Sequence, residues 1–251
     1  MMGASSVSRA ALRALTAMIE RVEFKATLLP ADEPKVPPLI RAAGRLPQRR
    51  KVYFYDTADL RLFGNDLVLR ARVTEGEDDD STVKLRPVDP DQEHAAWRRI
   101  DAIRVELDVV GDKRVCSAKL EGAPDHGEIE DVEARRRLVG SLFTRAQEQL
   151  IAAYAPDGIS LADLEVLGPV DARKWELDDL DGFPHTLCIE EWSLPDASHF
   201  IELSFKVSPA EADAAQAAFR TFLAGHAVDV AGDQTAKTPR VLEFFAGRLR
   251  A

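Results

Sequence analysis

Lys51–Val73, KVYFYDTADLRLFGNDLVLRARV, reads as a strand, a polar turn and a second strand that carries two arginines two residues apart. Side chains at i and i+2 of a strand share a face. Arg70 and Arg72 therefore stand together on one side, and Leu69, Ala71 and Val73 on the other. Two guanidiniums this close repel unless they are well solvated or an anion lies between them.

The same habit recurs on strand after strand. Glu23 and Lys25, Lys84 and Arg86, Glu106 and Asp108, and Glu202 with Ser204 and Lys206 alternate with mostly apolar neighbours. A sheet with one wet face explains any single strand of this kind. Repeated this often, the pattern favours a sheet closed into a barrel that gathers the charges inside, where cations need a polyanion and carboxylates need a cation. A triphosphate with a divalent metal meets both needs.

Further strand-like segments are RVEFKATL, STVKLRPV, IRVELDVV, LEVLGPV, ARKWELDDL, TLCIEEWSL and HFIELSFKV. Between them, residues 128–154 carry apolar residues at helical spacing and predict one or two helices. Two more helices fit residues 208–225, opened by a Ser208/Glu211 capping box, and residues 238–250. The acidic run EGEDDDS reads as a solvated hairpin loop. The order β, α, β suits one domain over residues 19–251, because either half alone would leave unpaired strand edges. Residues 1–18 read as an N-terminal extension or an amphipathic helix, since Arg9 and Arg13 interrupt any signal-like apolar core.

Composition narrows the partners. With 251 residues, 45% hydrophobic, the chain can bury a sizeable core, and its net charge of -10 argues against nucleic acid and anionic membranes. Two cysteines, Cys116 and Cys188, are too few for a disulfide scaffold and fit a reduced, cytoplasmic setting. No segment has the roughly 20 apolar residues of a membrane span. The histidines have no paired metal-ligand spacing, and His94, His126 and His185 fall in loop-like sequence. Lys119 and Lys206 read equally as barrel lining or surface lysines, and among the tryptophans Trp175 is the one placed to flank a nucleobase.

In motif order, from about Val22 to Lys237, the chain resembles the triphosphate tunnel metalloenzymes, or CYTH proteins. Their opening E-x-E-x-K is similar to RVEFK, with Arg21 in place of the first glutamate. YFYDTADLRL followed by LVLRAR is the most specific part of the likeness, and TVKLRP, RVELDV, PVDARKWELDDLDG and CIEEW follow in order. The late E-x-E is half present, as Glu202 and Ser204, and the late lysine resembles Lys237.

The resemblance implies an α+β fold, a closed eight-stranded antiparallel β-barrel forming a tunnel, with surrounding helices. It implies phosphate binding by Lys25, Arg70, Arg72, Lys84, Arg86, Arg173 (Lys174 in the other register) and Lys237. Magnesium or manganese would be held by Glu23, Glu190 (or Glu191) and Glu202, and Glu106 or Glu202 would orient the attacking water. The implied activity is metal-dependent hydrolysis of a triphosphate-containing substrate, most simply inorganic triphosphate. A binding protein without turnover is one alternative, because Arg21 and Ser204 thin the acidic set, and an adenylate cyclase or a nucleoside or thiamine triphosphatase are others, because no motif selects a base.

Overall fold

The computed structural model describes residues 18–28, 30–89, 91–92, 94–228 and 237–250. The N-terminal extension, apart from Met18, lies outside the described residues. Among those described, the strands are β1 (Ile19–Thr27), β2 (Gln48–Asp56), β3 (Leu67–Thr74), β4 (Asp80–Leu85), β5 (Arg104–Val110), β6 (Lys113–Gly122), β7 (Glu165–Leu177), β8 (Leu187–Ser193) and β9 (His199–Val207). They close into a barrel in the order β1-β5-β6-β4-β3-β2-β7-β8-β9, with β9 paired back to β1.

The closed α+β barrel is the expected one, but it has nine strands and is mixed. β1 runs parallel to β5, and the other neighbours are antiparallel. An odd number of strands cannot alternate direction all the way round a ring, so one pair has to be parallel. The added strand is β6, KRVCSAKLEG, whose paired cations and small residues blur the two-residue period. Two expected strands, LEVLGPV and ARKWELDDL, are one continuous β7. Pro169 suggested a break, yet it sits beside an irregularity in the β2–β7 pairing at Val52/Phe54, where a missing N–H is tolerated.

The apolar core lies outside the barrel. Phe24, Leu69, Ala71, Val83, Leu120, Leu203 and Phe205 point outward and are buried. They are covered by α2 (Glu128–Glu133), α3 (Arg145–Tyr154) and α4 (Ala212–Gly225), with α1 (Val36–Ala43) over the β1–β2 connection. Phe205 stacks on Phe24 at 5.0 Å and meets Phe219 of α4 edge-on at 4.9 Å. With the apolar residues spent on that outer shell, the inward positions are left to charge.

A second apolar cluster plugs part of the interior. Val241, Leu242 and Phe245 of α5 (Lys237–Leu249) pack on Val52, Phe54, Val170, Ala172, Trp192 and Phe200. Lys237 lies one helical turn before Val241 on the same face, so it is carried inward with the plug.

Candidate functional site

Asp56 begins the site. Its carboxylate accepts backbone N–H bonds from Thr57 (2.7 Å), Leu62 (2.8 Å) and Phe63 (2.9 Å), so the YFYDTADLRL motif is a folded turn. That turn sets the start of β3, and Asp66 at its end accepts the backbone N–H of Arg86 at 2.8 Å. β3 and β4 are thereby held as one wall, with Arg70, Arg72, Lys84 and Arg86 facing inward.

Asp108, whose side chain is wholly buried, gathers the cations of this wall. Lys84 reaches it at 3.0 Å, Arg86 at 3.5 Å, and Lys25 from β1 at 3.0 Å; Lys25 also meets Glu23 at 3.1 Å. Arg70 donates to Thr82 at 3.1 Å, and Arg70 and Arg72 share Asp80 at 3.8 and 2.8 Å. Asp80 comes from the acidic run expected in water. The run's last two carboxylates instead belong to the fold, with Asp79 buried and Asp80 opening β4 opposite Arg72. The Arg70/Arg72 repulsion is thus relieved internally by one shared carboxylate.

These placements shift the ionisation of the groups. Burial, then the neighbouring Arg72, pushes Arg70 down to about 10, which leaves it charged at neutral pH. Burial pushes Lys84 down to about 8 against the pull of Asp108, with Lys25 adding repulsion. Burial also opposes the charge on Lys25, but Glu23, Asp108 and Glu202 overrule it and raise its pKa. Asp108 is likewise buried, yet Lys25, Lys84 and Arg86 hold it well below the usual carboxylate range.

The facing wall is acidic. Glu190 of β8 and Glu202 of β9 are directly opposite one another in register. Lys237 bonds to Glu190 and lies 2.8 Å from Glu202, with its ammonium 4.9 Å from the centre of the Trp192 ring. Arg50 approaches Glu190 at 3.4 Å. Burial would raise Glu190, but Lys237 and then Arg50 hold it low. Between the walls lies a cavity of about 540 Å³ whose lining includes Lys25, Arg70, Lys84, Arg86, Glu202 and Lys237. Phe54, Phe63, Val68, Val110, Val115 and Pro239 form its apolar side.

The barrel brings together Lys25, Arg70, Arg72, Lys84, Arg86 and Lys237. Arg173 is on the outer face, half exposed, where it bonds to the equally outward Glu191 at 2.7 Å. Lys174, paired in register with Glu190, is the inward residue, because successive side chains alternate across a strand. Trp175 shares the outer face with Arg173 and cannot flank a ligand in the cavity; Trp192 lies inside.

The acidic residues are less gathered than expected. Glu106 lies away from the cavity, two residues before Asp108, and is taken by Lys119 at 3.0 Å and Lys206 at 3.1 Å. Lys119 is accordingly largely buried inside the barrel, whereas Lys206 stays exposed. Glu23 is separated from Glu202 along the β1–β9 ladder and contacts Lys25 and Lys206. Among the described residues no cluster of three carboxylate, histidine or cysteine side chains forms a metal cage. Sequence reasoning passed over Arg50 and Asp108 as site residues, although Asp108 alternates with Leu107 beside Glu106 and so carried the same inward signal.

Cys188 shares the inner face with Glu190, but burial, then that carboxylate, pushes its thiol up to about 12, which suppresses a thiolate nucleophile. No helix among the described residues is long and apolar enough to cross a membrane.

No protein-family model matches the chain, and no curated protein matches it. Solved structures do. A candidate adenylate cyclase of Bacillus halodurans aligns with a TM-score of 0.60 at 16% identity, covering 88% of this chain and 96% of that one. A candidate adenylyl cyclase of Hippeastrum, described as having a dominant triphosphatase activity, aligns with a TM-score of 0.60 at 15% identity over 89% of this chain and 95% of that one. At this identity the likeness establishes the fold alone, a closed β-barrel with surrounding helices.

Proposed function

We propose that the chain is a triphosphate tunnel phosphohydrolase, which binds a triphosphate-containing substrate between the two walls and hydrolyses it, with inorganic triphosphate the first substrate to test. The carrying observation is Asp108: three cations, Lys25 of β1, Lys84 of β4 and Arg86 just past the end of β4, lie within 3.5 Å of one buried carboxylate, on the rim of a cavity that Arg70 also lines. Asp108, even with Glu23 3.1 Å from Lys25, leaves the three cations in excess, and phosphate oxygens would supply the missing negative charge through charge-assisted hydrogen bonds. The triphosphatase activity described for the Hippeastrum protein supports the same reading.

Magnesium characteristically takes one or two carboxylates plus substrate phosphates. Glu190 and Glu202, facing each other across adjacent strands, fit that demand, whereas Glu23 lies apart. Bound there, magnesium or manganese would supply neutralisation of charge developing on the phosphoryl oxygens. The chain's own part is positional. Lys25, Lys84 and Arg86 hold one part of the phosphate chain and Arg70 another, and alignment plus charge is most of what phosphoryl transfer requires. Glu202, which lines the cavity, would orient a water, whereas Glu106 is held outside the cavity lining by Lys119 and Lys206.

The apolar side of the cavity favours a second reading, in which the triphosphate carries an organic group lying on Phe54, Phe63 and Val68. Phosphate release from inorganic triphosphate, ATP and thiamine triphosphate, with cyclic AMP and diphosphate assayed in the ATP sample, separates these readings. Release from inorganic triphosphate that is lost in Arg70→Ala is the expected result. Cyclic AMP would indicate a cyclase, thermal stabilisation without release a binding protein, and no response to any triphosphate would overturn the proposal.

A further inference from the structure

Lys237 departs from its expected role. The resemblance assigns it to phosphate, yet its ammonium bonds to Glu190 and lies 2.8 Å from Glu202, covered by the Trp192 ring. These are the two carboxylates best placed to take a divalent ion.

We infer that Lys237 is a built-in competitor for the Glu190/Glu202 pair, so that a divalent ion enters well only in company with a polyphosphate that draws the lysine away. The inference rests on the triphosphate reading for the second half of that sentence only; the competition itself concerns the protein and the ion. Four observations carry it. The pair is in direct register on β8 and β9, so the two side chains present one shared site. Lys237 touches both. It also lines the cavity with Lys25, Arg70 and Lys84, so its head stands at the boundary between the acidic pair and the place where phosphate oxygens would lie. Finally, its backbone belongs to α5, which is fixed in the barrel by Val241, Leu242 and Phe245. The long side chain can therefore exchange partners while the helix stays docked.

Charge explains the order of events. With Arg50 already 3.4 Å from Glu190, an ammonium between the two carboxylates leaves little net negative charge for an incoming ion and blocks the approach to both oxygens. A polyphosphate offers Lys237 a stronger anion on its other side. Once the lysine turns to it, the carboxylate pair regains the negative charge that Lys237 cancelled, with Arg50 still beside Glu190. By linkage, metal and polyphosphate must then tighten each other's binding by the same factor.

The test is a manganese titration of the full chain, without phosphate, followed by the loss of the free-ion paramagnetic resonance signal. Lys237→Met is expected to bind manganese about ten-fold or more tightly than the wild type. Lys174→Met removes an equal charge from the same inner face; its ammonium bonds to Glu176 instead of the pair, and it should change affinity by about two-fold at most. Lys237→Gln provides a second variant should methionine disturb α5, whose docking is read from Trp192 fluorescence. Manganese affinity unchanged in both Lys237 variants, or raised equally in Lys174→Met, would overturn the competition. A separate arm measures the melting temperature with inorganic triphosphate and EDTA. If the wild type does not respond there, the substrate reading fails while the metal titration still decides the role of Lys237.

Discussion

On the β3–β4 wall, Arg70, Arg72, Lys84 and Arg86 exceed the carboxylates they meet, Asp80 and Asp108, and Lys25 crosses over to crowd Asp108 further. On the β8–β9 wall the balance is the reverse: Glu190 and Glu202 are already covered by Lys237 and Arg50. The first wall therefore has positive charge to offer an anion, and the second has little negative charge to offer a cation until Lys237 leaves. The difference teaches that acidic residues in a tunnel are not a metal site merely by facing inward. What decides is which internal cations reach them first.

The comparison breaks most readily at Asp108. In Asp108→Ala, Lys25, Lys84 and Arg86 lose their shared counter-charge inside the barrel. Removing one partner of a buried charge cluster costs about 3–5 kcal/mol, so a large drop in melting temperature is expected. Inorganic triphosphate should restore part of it, because the ligand supplies the missing anion and binds only the folded state. A variant as stable as the wild type would show that the wall does not depend on Asp108.

Next in size is Arg70→Ala. Arg70 is half-buried beside Arg72 and, among the described residues, meets Thr82 at 3.1 Å and Asp80 at 3.8 Å, so its removal should cost the ligand-free protein little. A hydrogen bond to a charged group contributes about 1.5–3 kcal/mol, which predicts a 10- to 100-fold weaker triphosphate affinity by calorimetry. A large loss of stability with unchanged affinity would move Arg70 from the ligand grip to the structural charge network.

How these two walls were read from sequence follows the same divide. The β3–β4 wall was legible because Arg70, Arg72, Lys84 and Arg86 fall at strict two-residue spacing between apolar neighbours, and a strand's geometry leaves no other reading. The acidic wall was legible only as a set of inward carboxylates. Whether Glu190 meets a metal or a lysine depends on α5, which arrives from residues far along the chain and leaves no local signal. The strand count failed for local reasons: β6 lacks clean alternation, and Pro169 divided β7 on paper where a pairing irregularity carries the strand through. Once β6 is counted, the odd number demands a parallel pair, and the structure puts it at β1–β5.

A smaller effect should appear with pH. Lys84 is pushed down to about 8 by burial, with Lys25 repelling and Asp108 attracting it, so its ammonium is lost as pH rises through that value. Triphosphate affinity should fall over the same range, less steeply than in Arg70→Ala, since Arg86 and Lys25 remain charged. Stability of the ligand-free protein moves the other way. Between about 8 and the ordinary lysine value of 10.5 the unfolded chain binds more protons than the folded one at this site, so the Lys84 contribution to stability rises with pH. Lys84→Arg keeps its charge and should remove the decline in affinity. An identical decline in that variant would place its origin elsewhere.

The smallest effect tests which face of β7 looks inward. Arg173 is half exposed and bonded to Glu191 on the outer surface, and its neighbour Lys174 lies opposite Glu190 on the inner one. Exposed ion pairs contribute about 0–1 kcal/mol, so Arg173→Ala should change the melting temperature only slightly and leave triphosphate affinity unaltered. Lys174→Ala adds no burial penalty of note, but it removes a positive charge from the inner face and should weaken triphosphate a few-fold, by about 0.5–1 kcal/mol. The order of the two matters more than either value. Were Arg173→Ala to weaken the ligand and Lys174→Ala to spare it, β7 would be shifted by one residue. Such a slip would turn every side chain of β7 to the opposite face, with Arg173 inward and Lys174 outward.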